Sequence, residues 1–268
     1  MPDLLFEKRG GIAWITFNRP ERKNAISPEG FCRLADAWTE VRDDDAVRVA
    51  VLTGSGGDAF TSGGDLKQLL PLWTGAREPE DEWDERLLGD PGISFVALLK
   101  TFEMTKPLIA AVNGDALAGG TEIMLNADIR VAVPHARFGL TEVQRALVPG
   151  GGSMVRLPRQ IAYARAMELL LTGEPISAET ALDWGLVNRV VAPERLVETA
   201  EAFANRLARN GPLALEAIKR TALHTSGIPL PEAFRIEAEH AGRVMQSDDA
   251  KEGPRAFSQK REPVYRGR

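Results

Sequence analysis

The chain has 268 residues, of which 44% are hydrophobic, 26% charged and 6% aromatic, with 25 glycines and 17 prolines; at about 150 residues per domain this is one or two globular units with ample core. That profile excludes a disordered, collagen-like or disulfide-stapled protein. With 33 Lys and Arg against 38 Asp and Glu, the formal charge is -5, and the absence of a basic stripe or zinc-finger spacing argues against a nucleic-acid partner.

At the N-terminus, Met1 to Lys8 lacks the basic patch and apolar run of a signal peptide, so a cytoplasmic location is expected. The alternating run Gly11–Phe17 predicts a strand, closed by the turn Asn18-Arg19-Pro20. Ser27 and Pro28 are a cap and first position for a helix carrying Phe31, Leu34, Ala35, Trp38 and Val41 at helical spacing. The lone Cys32 falls on that apolar stripe, as a small core residue, and it can make neither a disulfide nor a zinc site alone. Val47–Thr53, Leu108–Val112 and Ile129–Val133 read as buried strands, so strands alternate with helices and the fold class is α/β. None of these runs approaches the roughly 20 apolar residues that span a bilayer. The segment 66–93, with Pro71, Pro79, Pro91 and an acidic cluster, is expected to be a partly mobile excursion with a short helix. Beyond Val197 only helical patterns occur: Thr199–Asn210, Pro212–His224, Pro231–Gln246 and Ala250–Lys260. The expected division is a core over 1–196 and a helical subdomain over 197–268, and no solenoid period is visible.

Gly54–Ala59 matches G-x-G-x-x-A after a strand, but the loop continues to Gly64 instead of opening a helix, which a dinucleotide site requires. A different glycine pair carries more chemistry. Phe60-Thr61-Ser62-Gly63-Gly64-Asp65-Leu66 follows one strand, and Asn113–Glu122 follows another and runs into a helix near Gly119. Two such turns can aim N–H groups into one crevice, the construction of an oxyanion hole; equally, glycines there can serve only to let the backbone turn. Glu122 falls in the first turn of that helix, and Glu142 follows the next strand in Phe138–Glu142. Two glutamates facing one crevice can divide acid and base work, although a Glu at a helix start is also a plain dipole partner. G-x-S-x-G is absent and Ser153 lacks its flanking pattern. His135, His224 and His240 have no metal-binding spacing, so no metal is expected.

These motifs together resemble the crotonase family, the enoyl-CoA hydratase/isomerase group. The matching stretches are Asn18-Arg19-Pro20 with Asn24-Ala25, Ala59–Leu66, Lys106–Gly114, Ala118–Glu122, Phe138-Gly139 with Glu142, Pro149–Gly152, Arg156-Leu157-Pro158, Leu171-Thr172-Gly173 and Ala181 with Gly185-Leu186-Val187. The resemblance spans about residues 10–262. It implies a spiral of ββα units, a helical C-terminal part that builds trimers or hexamers, and acyl-CoA thioesters as substrates, with no cofactor beyond the CoA of the substrate. It also implies that the Gly64 and Gly119 N–H groups hold the thioester oxygen, and that Ala25, Ser62, Gly63, Asp65 and Leu66 line the CoA path. Phe257 and Lys260 resemble residues that a neighbouring subunit lends to the adenine and 3'-phosphate. The basic tail with Arg255, Arg261, Arg266 and Arg268 can attract phosphate. In this family the two glutamates set the reaction, so Glu122 and Glu142 together imply an enoyl-CoA hydratase. Isomerisation, dehydration of a 3-hydroxyacyl-CoA such as carnitinyl-CoA, and a non-catalytic acyl-CoA binder are the alternatives. Leu140-Thr141 before Glu142, Gly64 in place of the commoner alanine, and the long acidic 66–93 segment depart from the usual pattern.

Overall fold

The computed structural model describes residues 1–268. Strands β1 (Leu4–Arg9) and β2 (Ile12–Phe17) form an antiparallel hairpin. Past Phe6, β1 carries only Glu7, Lys8 and Arg9, so no apolar alternation betrays it in the sequence. Ser27 caps α1 (Pro28–Asp43), its hydroxyl accepting from the Gly30 N–H at 3.0 Å. The α1 stripe of Phe31, Leu34, Trp38 and Val41 is buried together with Cys32, and burial pushes the Cys32 thiol up to about 11; it packs and does not react.

From β3 (Val49–Gly54) the chain climbs a spiral in which each turn gives one strand to a large sheet and a short strand to a small one. β3 is followed by β4 (Ala59–Thr61), α2 (Leu66–Trp73), α3 (Glu82–Gly89) and α4 (Gly92–Ala97). The next turn is β5 (Leu108–Val112), β6 (Asp115–Leu117) and α5 (Gly119–Met124). The third is β7 (Ile129–Ala132), β8 (Arg137–Gly139), a 3-10 turn over Thr141–Arg145, then α6 (Ser153–Gln160) and α7 (Tyr163–Thr172). β9 (Ile176–Ser177), α8 (Ala178–Asp183) and β10 (Arg189–Val190) complete it. The large sheet runs β1-β2-β3-β5-β7-β10 and the small one β4-β6-β8-β9. All neighbours beyond the first hairpin are parallel except β8 and β9. This is the spiral of ββα units that the motifs imply. Turns of unequal length, starting at Val49, Leu108, Ile129 and Arg189, leave no period in the sequence.

Two expectations need correction. The Leu66–Ile93 segment is not an excursion with one short helix: α2, α3 and the start of α4 lie within it. Its acidic residues are spent locally, Asp81 capping α3 by accepting from Trp83 and Asp84 N–H at 3.0 and 2.9 Å, while the buried Asp84 carboxylate pairs with Arg77. Leu69, Leu72 and Leu87 then join the core. The boundary at 197 also moves. Helix α9 (Leu196–Ala208) packs on the large sheet, with Leu196, Ala200 and Ala204 in the core; the two alanines let it approach closely. The helical extension therefore begins at α10 (Pro212–His224), which pairs with α11 (Leu230–Met245) and leads to α12 (Asp248–Ser258). No helix is long and apolar enough to cross a membrane.

Candidate active site

Three loops leave the C-terminal ends of the parallel strands β4, β6 and β8, which lie side by side in the small sheet. Gly63 and Gly64 follow β4, Gly119 opens α5 directly after β6, and Glu142 follows β8. Such an edge is where ligands gather in open parallel sheets.

The direction of the Gly64 N–H follows from a parallel bridge. Ile26 donates to Gly63 O at 2.8 Å and Asp65 donates to Ile26 O at 2.9 Å, so the amide between them points away from Ile26. Gly63 has φ +86°, and a Cβ there would stand 2.8 Å from the Gly119 nitrogen. Only glycine fits. Gly119 is aimed by a strained neighbour: Ala118 has φ 50° and ψ −124°, a conformation costing a side chain of order 1–3 kcal/mol. A Cβ on Gly119 would lie 3.7 Å from the Gly64 nitrogen, so the two amides are close. Neither N–H donates to another group of the chain. The pair is thus free for an outside acceptor at the positive end of α5.

The two glutamates sit in unlike surroundings. Glu122 is 3% exposed, and its Oε1 accepts from Ser153 Oγ at 2.8 Å and from Ser153 N–H at 3.2 Å. Glu142 has a buried Oε2 with no hydrogen-bond partner. Burial pushes its carboxyl up to about 7 against its own backbone hydrogen bond, and the charge of nearby Glu122 adds to the rise. A carboxyl near 7 beside a second, hydrogen-bonded carboxylate is the pairing that acid–base chemistry at neutral pH requires. Ala118 and Gly151 fall inside the matching stretches Ala118–Glu122 and Pro149–Gly152, but no pattern in the sequence marks Ser153 as the partner of Glu122.

Comparison with known proteins follows the same line. The family model described as enoyl-CoA hydratase/isomerase matches residues 7–268. The chain belongs to that family. It is 45% identical to the enoyl-CoA hydratase EchA19 of Mycobacterium tuberculosis, covering 100% of this chain and 97% of that protein. It is 39% identical to a carnitinyl-CoA dehydratase of Citrobacter koseri, over 99% of this chain and 98% of that one. The crystal structure of an enoyl-CoA hydratase from Mycobacterium tuberculosis H37Rv superposes with a TM-score of 0.88 at 40% identity, covering 100% of both chains.

The remaining residues expected on the CoA path of an enoyl-CoA hydratase/isomerase divide into two groups. Ala25, Ser62, Gly63, Asp65 and Leu66 come together where the 23–26 and 62–66 segments run side by side, with Ser62 N–H donating to Lys23 O at 3.1 Å. Asn24 anchors this from within: it is buried and gives Nδ2 to Ser55 O and Ala59 O at 2.9 and 2.7 Å. The Asp65 carboxylate is already held by Arg19 at 3.0 Å, and Arg19 also donates to Ala25 O at 2.8 Å. Asp65 is therefore a clasp between the two segments, and Leu66 stands 40% exposed at the start of α2. Phe257 and Lys260 are not in this cluster. Phe257 is 87% exposed on α12, and Lys260 lies just beyond it. The basic tail is partly neutralised, since Arg255 and Arg261 both bind Glu252 at 2.6 Å, and these guanidinium groups hold the Glu252 carboxyl far below the usual range.

Proposed function

We propose that the protein is an enoyl-CoA hydratase, adding water across the 2,3 double bond of a 2-enoyl-CoA thioester. The observation that carries this reading is the pair of unlike glutamates beside two free N–H groups: Glu122 gripped by Ser153, Glu142 half-buried with an unpartnered Oε2 and its carboxyl raised to about 7. In the forward direction the water oxygen bonds to C3, and the π electrons move onto the thioester oxygen. Gly64 and Gly119 N–H receive that charge, worth on the order of 3 kcal/mol per donor. Glu122 takes the proton released by the water. Glu142 gives its proton to Cα, closing the addition, and solvent carries the proton from Glu122 back to Glu142. No cofactor takes part beyond the CoA of the substrate.

The same atoms run in reverse as dehydration of a 3-hydroxyacyl-CoA, and the likeness to a carnitinyl-CoA dehydratase supports that direction as a second reading. The test is loss of the conjugated enoyl-thioester absorbance with 2-enoyl-CoAs of several chain lengths, with product identification and Glu142→Gln alongside. Turnover to 3-hydroxyacyl-CoA by wild type and not by the variant upholds the reading. Thioester binding without turnover in either direction sinks it and leaves a non-catalytic binder.

Assembly is part of the proposal. No residue of α10 or α11 is buried, yet Ile218, Leu230, Phe234 and Met245 are 61–74% exposed, more apolar surface than a lone helical hairpin keeps in water. Copies of this chain cover it in a homotrimer or a dimer of trimers, where Phe257 and Lys260 reach a neighbour's CoA path. Sedimentation velocity on wild type and Phe234→Asp checks this; a monomeric wild type refutes it.

A further inference from the structure

We infer that Ser153 is the positioning residue of Glu122, fixing which carboxylate oxygen is left to hold the attacking water; this rests on the hydratase reading above. Ser153 is fully buried as the first residue of α6, and its hydroxyl and amide both donate to the same oxygen, Oε1. The grip is one-sided. Oε2 takes no hydrogen bond from Ser153 and faces Gly151, where a Cβ would stand 2.8 Å from it and 2.7 Å from Leu98 Cδ1, so any side chain at 151 would crowd Oε2. The turn presenting Ser153 is held in turn by Arg156, which donates to Gly151 O at 3.1 Å and to Leu99 O at 2.7 Å.

The hydroxyl matters more than the amide. The amide contact, at 3.2 Å, is at the long end for N–H···O, whereas 2.8 Å is the usual length for O–H···O. The terminal torsion of a glutamate is broad and roughly two-fold, so one long hydrogen bond does not choose between its two oxygens, while two donors converging on Oε1 do. No hydrogen bond joins Ser153 to the groups that handle Cα, namely Glu142 and the Gly64 and Gly119 N–H pair; its hydroxyl and amide go to Glu122 alone. Ser153 therefore serves one half of the reaction, the addition of water at C3.

Two reactions separate these halves. Hydration of a 2-enoyl-CoA needs both glutamates, whereas exchange of the Cα hydrogen of a saturated acyl-CoA with D2O at pH 8 needs only Glu142 and the N–H pair. Ser153→Ala is expected to lower the hydration kcat on the order of 10- to 100-fold, the rate equivalent of one hydrogen bond to a charged group. KM and the exchange rate stay within about twofold of wild type, the precision to which uncoupled sites behave independently. Ser153→Thr restores the hydroxyl and recovers most of the hydration rate. An equal fall in hydration and exchange makes Ser153 merely structural and overturns the proposal, as does an unchanged hydration rate in Ser153→Ala. If wild type exchanges Cα hydrogen but hydrates no enoyl-CoA in either direction, the hydratase reading itself fails and the assignment of Ser153 falls with it.

Discussion

Replacing Glu142 by glutamine is expected to stabilise the protein while removing its hydration chemistry. The carboxyl rises from 4.5 to about 7 on folding because its charge is buried with an unpartnered Oε2. At 1.36 kcal/mol per pH unit this is about 3 kcal/mol, an order-of-magnitude figure. Below about pH 4.5 the group is protonated in both folded and unfolded chains and contributes nothing. Between pH 4.5 and 7 the unfolded chain releases a proton that the folded protein keeps, so stability falls as pH rises, and above about 7 the whole cost is present. The amide of Glu142→Gln never ionises. At pH 8 the variant should be more stable than wild type by up to about 3 kcal/mol, or roughly 6–12 °C in Tm for a chain of this size, with the gap closing near pH 4.5. Urea unfolding followed by tryptophan fluorescence at pH 5 and pH 8, at equal protomer concentration, measures the difference of differences. The same protein should hydrate enoyl-CoA about 10²- to 10⁴-fold more slowly. A gap that does not widen from pH 5 to pH 8 would falsify the desolvated, proton-bearing Glu142 carboxyl.

Other outcomes follow from the same geometry. Hydration by wild type should decline above about pH 7 as Glu142 loses the proton it donates, while Cα exchange into D2O rises over the same range; parallel pH profiles would contradict that role. Gly63→Ala forces a Cβ to 2.8 Å from the Gly119 nitrogen at φ +86°, and kcat/KM should drop about 100-fold, as for loss of one oxyanion donor. Arg19→Ala leaves Asp65, whose side chain is 12% exposed, without its partner and unclasps 23–26 from 62–66. A loss of roughly 3 kcal/mol is expected by urea titration together with a higher KM for the thioester; an unchanged KM would show that the clasp does not shape the substrate path. Ala204→Leu overpacks α9 against the sheet and should cost about 1–3 kcal/mol without altering sedimentation, since α9 belongs to the core and not to the extension that begins at α10.

The long elements were legible because their periodicity is local. Ser27 and Pro28 start α1 where the residues predict, β5 spans Leu108–Val112 as its apolar run predicts, and α10 spans Pro212–His224. The elements that build the site were not. β4, β6 and β8 have three residues each, too few to show alternation, and they exist because the larger sheet stacks the turns of the spiral in register. The acidic 66–93 segment misled because composition records charge but not partners: Asp81 and Asp84 are used by α3 and Arg77. Likewise the boundary at 197 missed that Ala200 and Ala204 seat α9 on the sheet.

By itself, the sequence determined the α/β class, the family and the identities of the groups on which the proposed chemistry rests: Gly64, Gly119, Glu122 and Glu142. Only the tertiary structure decided what surrounds each of them. Glycine pairs turn chains in many proteins; these two leave their N–H groups free and adjacent because Ile26 pairs with Gly63 and Asp65 and because Ala118 accepts a strained conformation. Glu122 and Glu142 are the same side chain twice, and they differ because Ser153, thirty-one residues on from Glu122, reaches one of them while the other keeps a buried Oε2 without a partner. Hydrogen bonding and desolvation depend on what surrounds a group in space, and a one-dimensional pattern does not contain that information.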